Sequence, residues 1–384
     1  MDVWKHLDKE ILRSRLKKTG PVHAYPSEAS RIGKNPVTNM DMTIGACLRK
    51  QYYRYKNQLI ERGHTTGKLY ETTDLSATDL WKFAASFDTE HTIVEKSKEA
   101  GIWAENNKSF HMSELNMKGE LDLILMEPDT GKLIGVDVKS VYGYYGEKQV
   151  FGTKSDWSKG RKGTPKEDHV MQIALYTWYW RDEIAYFKIL YFSRGSGQRQ
   201  EYTISLEPDG EDFKVMIDDK YAGWNISAML DRYEALINAT KTNTLPPREY
   251  DLYYSTEYID ALAEAGELSK TDKTKWDKGS KVVKGDWRCS YCSFKPNCYD
   301  SKGHPVNDEI IGQYEIKHLT HATSYDNSIN LKDHILSQGL ESEDIKISLM
   351  CDDETTVLFE GEGKDYVNKP LHTSVHKVPS KEEE

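Results

Sequence analysis

The sequence contains no long apolar segment. Its 384 residues include no run of about 18 apolar residues, so a membrane-spanning helix is not expected. The N-terminal stretch MDVWKHLDKEILRSRLKK lacks the apolar core of a signal peptide, and it carries acidic residues that a transit peptide avoids. We therefore expect a soluble protein that contacts no membrane, is not secreted and works in the cytoplasm.

Cysteine is scarce, since five cysteines in a chain of this length are too few for a disulfide scaffold. Three of them form a Cys-x2-Cys-x5-Cys cluster in WRCSYCSFKPNCYD, at Cys289, Cys292 and Cys298. The nearest candidates for a fourth ligand are Cys47 and Cys351. Clustered thiols indicate a soft metal, and four thiolates suit Zn²⁺ and an iron–sulfur cluster equally well.

The chain also has no overall excess of positive charge, and its net charge is −10. Residues 303–384 hold 17 acidic and 7 basic residues, which leaves 45 of each sign in residues 1–302. The negative excess therefore belongs to the C-terminal extension, and basic zones at residues 1–68 and 139–200 keep polyanion binding possible. The extension could compete with such a polyanion for the basic zones or dock a basic protein partner, either as a disordered arm or as a small β element.

Periodicity predicts a mixed α/β fold, and the content of 38% hydrophobic residues is sufficient for a core. The order helix, two strands, helix, strand predicts a central mixed sheet flanked by helices in residues 1–302. The predicted elements are amphipathic helices at 2–18 and 79–101, a hairpin at 119–140, a mobile polar loop at 152–169, a helix at 170–187 and a strand near 188–194.

The hairpin carries charged residues at specific positions. A four-residue loop at Pro128–Gly131 places Asp122 opposite Asp137 and Glu120 opposite Lys139. Leu121, Leu123, Val136 and Val138 then point the other way, into the core. Two carboxylates on neighbouring strands repel each other unless a positive charge lies between them. A divalent metal would supply that charge, and Mg²⁺ or Mn²⁺ bound by carboxylates can activate water and polarise a phosphate.

These residues resemble the PD-(D/E)xK nuclease superfamily in its RecB-like form. Asp122 followed by Asp137-Val138-Lys139 resembles the superfamily signature, and Gln172 and Tyr176 resemble its Gln-x-x-x-Tyr helix. The resemblance implies a restriction-endonuclease-like core. It also implies catalytic roles for Asp122, Asp137, Lys139, Gln172 and Tyr176, and metal binding by His91 with the two aspartates.

The cysteine order extends this resemblance. RecB-like exonucleases of the CRISPR-associated and AddB-type branch have one Cys before the nuclease motifs and three after them, and these hold a 4Fe–4S cluster. The resemblance therefore implies that Cys47, Cys289, Cys292 and Cys298 bind such a cluster, with Zn²⁺ as the alternative. Such a staple would clamp the two ends of the nuclease domain at residues 1–302.

The function implied by the resemblance is a metal-dependent exonuclease acting on single-stranded DNA or duplex ends in recombination, repair or phage DNA metabolism. It would act in the cytoplasm of a bacterial or phage-infected cell. A structure-selective endonuclease with the same site and a non-catalytic DNA-binding scaffold subunit are the alternatives. Two basic and aromatic stretches could contact DNA: the 49–58 segment RKQYYRYKNQ, and the polar loop through Lys154, Trp157, Lys159, Arg161 and Lys162.

Overall fold

The computed structural model describes residues 22–65, 69–72, 76–158, 162–306, 346–350 and 357–362, together with Trp4, Leu7, Asp8 and Ile11. The chain forms two compact units. The first consists of Met1–Tyr55 with Thr73–Cys292, and the second of Lys56–Thr72 with Ser293–Glu384. Most of the helix predicted at 2–18 lies outside the described residues. In the described part, no helix has the length and apolar character needed to cross a membrane.

A mixed seven-stranded sheet dominates the first unit. Its strands lie side by side in chain order, from β3 to β9, and every neighbouring pair is antiparallel except the parallel pair β5–β6. A separate antiparallel pair, β1–β2, precedes it. The strands are β1 Ser30–Lys34, β2 Asp41–Gly45, β3 Trp103–Met112, β4 Met117–Met126, β5 Leu133–Val141, β6 Tyr186–Ser193, β7 Arg199–Asp209, β8 Asp212–Ile217 and β9 Lys220–Asn225.

Helices flank this sheet. The helices are α1 Leu48–Glu61, α2 Ala77–Glu99, α3 Tyr144–Phe151, α4 Lys154–Trp157, α5 Glu167–Tyr179, α6 Ser227–Lys241, α7 Thr256–Glu264, α8 Lys270–Asp277 and α9 Trp287–Ser290, with 3₁₀ turns at Pro26–Glu28 and Lys295–Asn297. The predicted α/β class, with a mixed sheet flanked by helices, is confirmed.

Helix α2 confirms the helix predicted at 79–101. It begins after Ser76, whose side chain accepts a hydrogen bond from the Asp79 N–H, and such a cap satisfies one of the free donors of the first turn. Lys96 and Lys98 lie in the last turn, where they complement the negative end of the helix dipole. The helix packs against β3, β4 and β5, and its buried Val94 contributes to the core there.

The predicted hairpin is also confirmed, and its register holds from Leu123–Val136 to Met126–Leu133, whereas the predicted pairs Asp122–Asp137 and Glu120–Lys139 lie beyond the end of this ladder. The Glu127 N–H donates to the Lys132 carbonyl at 2.8 Å, which closes a four-residue turn, and Leu123 pairs with Val136. Because side chains alternate along a strand, this register turns one set of residues into the core. The core cluster here contains Val94, Leu123, Ile134, Val136 and Val138.

The crossover from β5 to β6 differs from the prediction at both ends. The predicted polar loop contains α4, and its following residues are fastened to α3, since the Thr164 N–H donates to the Gln149 carbonyl at 2.7 Å. The helix predicted at 170–187 is observed at Glu167–Tyr179, so the prediction is wrong for residues 180–187. Buried residues alternate with half-buried ones from Tyr186 onward, as suits a strand, and β6 begins there.

The second unit contains short connected segments. The Asn57 side chain bonds both backbone groups of Tyr70, at 2.8 Å to its carbonyl and 2.7 Å from its N–H. Asn297 makes the same pair of bonds to Glu71. In the C-terminal extension, β10 (Lys346–Met350) and β11 (Val357–Glu362) form an antiparallel pair.

Candidate active site

The two aspartates of the hairpin come together where β4 and β5 part. The backbone ladder between these strands ends at the pair Leu123–Val136, and beyond it the Asp122 carboxylate accepts the Val138 backbone N–H at 2.7 Å. Asp137 is fully buried, whereas Asp122 is half-buried. The side chain of Asp122 thus replaces a backbone acceptor, and the strands separate around the carboxylates.

Lys139 provides the positive charge beside Asp137. Its Nζ lies 2.7 Å from Asp137 Oδ2. Among the described residues, neither carboxylate oxygen of Asp137 has a hydrogen-bond partner of suitable geometry. A buried carboxylate normally has its oxygens hydrogen-bonded, so this arrangement leaves accepting capacity for a further positive group.

Burial and neighbouring charges shift the pKa values of all three residues. Burial raises the pKa of Asp122 well above its ordinary value, and the charge of Asp137 adds to the effect. Burial also raises the pKa of Asp137, against the opposing effect of Lys139. For Lys139, burial alone lowers the pKa, but the two carboxylates outweigh it and the net pKa is raised. Lys139 is therefore an ammonium ion at neutral pH.

Glu90 of α2 is a carboxylate near this group that the sequence analysis missed. Burial raises its pKa first, and the charge of Asp137 raises it further. The charge of Glu90 also contributes to the raised pKa of Asp122. His91, the predicted ligand, is exposed and lies about 100° further round the helix axis. The helix therefore turns Glu90, rather than its neighbour, towards the charged group.

Gln172 and Tyr176 lie on one face of α5, as their spacing predicts, and both are buried. The Tyr176 hydroxyl donates to the Glu120 carbonyl of β4 at 2.9 Å. Gly119 makes this possible, because a Cβ there would lie 2.7 Å from the hydroxyl oxygen. Burial and the charge of Asp137 raise the pKa of Tyr176, and Gln172 opposes this increase. Tyr176 therefore holds the strand that carries Asp122.

A second buried pair, also missed from sequence, lies beside Lys139. Tyr191 of β6 is the register partner of Lys139, and its hydroxyl accepts the Lys166 N–H at 3.0 Å. His169 stacks on the Tyr191 ring and shares a 2.8 Å hydrogen bond with its hydroxyl. Burial lowers the pKa of His169 to about 3, so its ring is neutral at physiological pH.

The donor set suits a hard divalent cation in its chemistry. Within the residues that the structure describes, no group of three or more His, Cys, Asp or Glu side chains is arranged to hold a metal ion. The available donors are nevertheless carboxylate oxygens, which are the ligands that Mg²⁺ and Mn²⁺ prefer. Asp122 and Asp137 are the closest candidates, with Glu90 within electrostatic range, and a cation would relieve their repulsion.

The predicted DNA-contacting residues have varied surroundings. Trp157 is half-exposed, and its indole N–H donates to the Phe151 carbonyl at 2.6 Å. Lys162 pairs with Asp218 at 2.6 Å, which offsets its charge. Lys159, Arg161 and the side chain of Lys154 lie outside the described residues.

The 49–58 segment forms most of α1, and its central tyrosines point inwards. Tyr52 and Tyr53 are completely buried, as is Arg49, whose guanidinium donates to the Pro246 carbonyl at 2.5 Å. The interpretation of this stretch as an aromatic and basic DNA-contacting surface is therefore wrong for these residues, because they belong to the core.

Two of the predicted cluster cysteines interact with Tyr250 of the first unit. Cys289 Sγ lies 3.3 Å from the Tyr250 carbonyl oxygen. Burial raises the pKa of Tyr250, Arg288 opposes this, and the charge of Cys47 adds to the increase. Cys289 of α9 thus contacts the backbone of Tyr250, whereas Cys47, which follows β2, acts electrostatically on its hydroxyl.

Cys292 and Cys298 form backbone hydrogen bonds with residues close to them in sequence. The Cys292 N–H donates to the Cys289 carbonyl at 3.2 Å, so these two belong to one turn. In the second unit, the Cys298 N–H donates to Lys295 and its carbonyl accepts from Val306. Cys351 lies outside the described residues. Binding of a cluster by Cys47, Cys289, Cys292 and Cys298 stays a prediction.

Comparisons with known proteins add little. Neither a family model nor a curated protein matches the chain. Among solved structures, the chain is similar to that in the crystal structure of SSO0001, with 15% sequence identity and a TM-score of 0.36 over 79% of this chain and 97% of that chain. A likeness at this level carries no argument about fold or function.

Proposed function

We propose that this protein is a metal-dependent DNA nuclease of the PD-(D/E)xK superfamily, in its RecB-like form, and that it acts as an exonuclease on single-stranded DNA or duplex ends. The observation that carries the proposal is the meeting of Asp122, Asp137 and Lys139 at the point where β4 and β5 part. Placing two carboxylates together in a partly buried position is unfavourable for stability, so a role in binding a cation accounts for it.

In this proposal, Asp122 and Asp137 hold Mg²⁺ or Mn²⁺, and Glu90 or His91 of α2 contributes a further ligand. The position of Glu90 favours it over His91. The bound metal would supply an activated water molecule and polarisation of the phosphate. Asp137 keeps an oxygen without a hydrogen-bond donor, which leaves it available as a ligand.

Lys139 offsets the negative charge that builds up on the phosphate during attack, and it orients the attacking water. Its raised pKa keeps it protonated, and therefore positively charged, so that it can offset the charge on the phosphate. Tyr176 acts one step away, because its hydroxyl holds the β4 backbone at Glu120 and thereby fixes the position of Asp122, and Gln172 supports Tyr176 from the same helical face. We class them as positioning residues rather than catalytic ones.

The same proposal includes a 4Fe–4S cluster bound by Cys47, Cys289, Cys292 and Cys298. The contact of Cys289 with the Tyr250 carbonyl and the electrostatic effect of Cys47 on the Tyr250 hydroxyl support it, since both cysteines, which are distant in sequence, act on the same residue. The cluster would have a structural role, coupling metal binding to folding.

The test compares Asp137→Ala and Lys139→Ala with Asp129→Ala, which changes an exposed aspartate in the turn of the same hairpin. Labelled linear and closed circular single-stranded DNA are incubated with Mg²⁺ or Mn²⁺. We expect the first two variants to lose cleavage while Asp129→Ala keeps it. Cleavage of linear DNA alone supports an exonuclease. Activity of Asp137→Ala within a few-fold of the unchanged protein would contradict the assignment, as would intact folded protein that cleaves neither substrate.

A further inference from the structure

Three tyrosines follow the proposed catalytic strand directly and are strongly exposed. Tyr142, Tyr144 and Tyr145 have 74%, 71% and 86% of their surface accessible. The rings of Tyr144 and Tyr145 lie edge to face, 5.4 Å apart. Tyr142 is three residues beyond Lys139, or about 10 Å along an extended strand. Aromatic side chains usually bury 150–250 Å² each, so an exposed group beside a charged site calls for an explanation.

Helix α2 adds a fourth exposed ring to the same region. Phe87 is 67% exposed and precedes Glu90 by three residues, so both lie on neighbouring parts of one helical face. The hydroxyls of Ser86 and Ser140 are 2.8 Å apart, which fastens this part of α2 to the end of β5. We call Phe87, Tyr142, Tyr144 and Tyr145 the aromatic rim.

Cationic groups accompany the aromatic rim. The Arg194 guanidinium lies 5.8 Å from the centre of the Tyr142 ring and donates to the Lys82 carbonyl at 3.1 Å, so it links Tyr142 to α2, the helix that carries Phe87. Tyr145 also lines a cleft of about 470 Å³ with Lys148, whereas the charge of Lys162 in the same cleft is offset by Asp218. Exposed rings next to lysine and arginine form the combination that binds single-stranded nucleic acids, because bases stack while phosphates pair with the cations.

We propose that the aromatic rim is a stacking subsite for unpaired bases of a DNA strand whose backbone continues to Asp122 and Asp137. The proposal rests on the proposed nuclease function and assigns residues that select the substrate. In a duplex, the faces of the bases are already stacked on each other, so the rim favours a single strand or a frayed end. The positive charge beside the rings suits this polyanion, whereas an apolar protein partner would have no use for it.

The test measures binding without cleavage, in EDTA, by fluorescence anisotropy. The full-length protein, the double variant Tyr144→Ala with Tyr145→Ala, and the matched double variant with Phe at both positions are compared. The probes are a fluorescein-labelled oligo-dT, an abasic oligonucleotide of the same length, and a blunt DNA hairpin. We expect the Ala variant to bind oligo-dT about tenfold more weakly or worse, and the Phe variant to bind it within about threefold of the unchanged protein.

Binding to the abasic strand and to the blunt hairpin should change little in either variant. Equal weakening on all three probes, or no weakening on oligo-dT, would overturn the stacking role. Self-association that the Ala variant abolishes, with unchanged DNA binding, would identify the rim as an interface between copies and also overturn it. A protein that cleaves DNA but binds oligo-dT independently of the rim refutes only the subsite. Rim-dependent binding without any cleavage refutes only the nuclease function.

Discussion

Replacing Asp122 with Asn should stabilise the metal-free protein and remove its stabilisation by metal. The amide oxygen of Asn can still accept the Val138 N–H, so the one hydrogen bond that holds this side chain is kept. The change removes one of two carboxylates that repel each other, while Lys139 still balances Asp137. The metal-free protein therefore gains stability, and the proposed cation site loses a ligand.

The expected effect of Asp122→Asn on stability has opposite signs without and with metal. A like-charged pair on neighbouring strands destabilises by up to about 1 kcal/mol. In a unit of this size that corresponds to a rise in Tm of about 1–3 °C in EDTA. With Mg²⁺ at about 100 times its Kd, the unchanged protein should gain about 2.7 kcal/mol, which the variant lacks. The order of the two stabilities should therefore reverse when metal is added.

Thermal unfolding followed by circular dichroism at pH 8 measures both effects. Asp129→Asn provides the control, since it makes the same chemical change in the exposed turn of the same hairpin. It should leave Tm and its response to Mg²⁺ unchanged. An Asp122→Asn variant that is less stable than the unchanged protein in EDTA would refute the argument from repulsion. An equal gain from Mg²⁺ in both proteins would refute the assignment of Asp122 as a ligand.

Three further predictions concern neighbouring features. Glu90→Gln should weaken Mn²⁺ binding about tenfold or more in a calorimetric titration, whereas His91→Asn should not; the reverse result would favour His91 as the ligand. Anaerobically purified protein should contain iron and sulfide that Cys289→Ser loses and Cys351→Ser keeps, and stoichiometric zinc without sulfide would overturn the iron–sulfur cluster. Because burial lowers the pKa of His169 to about 3, the folded state binds fewer protons than the unfolded state below about pH 6.5. Stability should therefore fall between about pH 6.5 and 4 by less in His169→Phe than in the unchanged protein, and identical pH profiles in urea titrations would contradict this.

The hairpin was predictable because local rules determine it. The turn sequence Pro-Asp-Thr-Gly sets the loop length, and alternation of apolar residues then sets which side chains face the core. Strand β3 was not predicted because its sequence, WAENNKSFHM, is largely polar. Among the described strands it lies at the edge of the sheet and pairs only with β4, and it buries just Phe110 and Met112. An edge strand needs few apolar residues, so its pattern is weak in the sequence.

The pairs that surround the proposed catalytic residues depend on tertiary contacts instead. Tyr191 and His169 meet because β6 lies parallel to β5 and α5 returns over β6. No local sequence pattern predicts this contact. In the same way, Tyr250 meets Cys289 through folding of distant segments. Sequence spacing identified Gln172 and Tyr176 as one helical face, but only the contact with Glu120 shows that Tyr176 supports a strand.

The exposure of His91 and the exposure of Phe87 in the aromatic rim have one physical cause. The predicted apolar face of this helix ran through Phe83, Phe87, His91 and Val94, because large apolar residues normally mark the buried side. In the structure, Val94 and Ser97 are buried while Phe83 and Phe87 are exposed, so the buried face passes through Glu90 instead. Because the exposed phenylalanines were assigned to the buried side, the predicted face is displaced by one residue, from Glu90 to His91. Apolar residues that do not join the core are expected at binding sites. The exposed phenylalanines of α2 are of this kind, and they lie beside the proposed site.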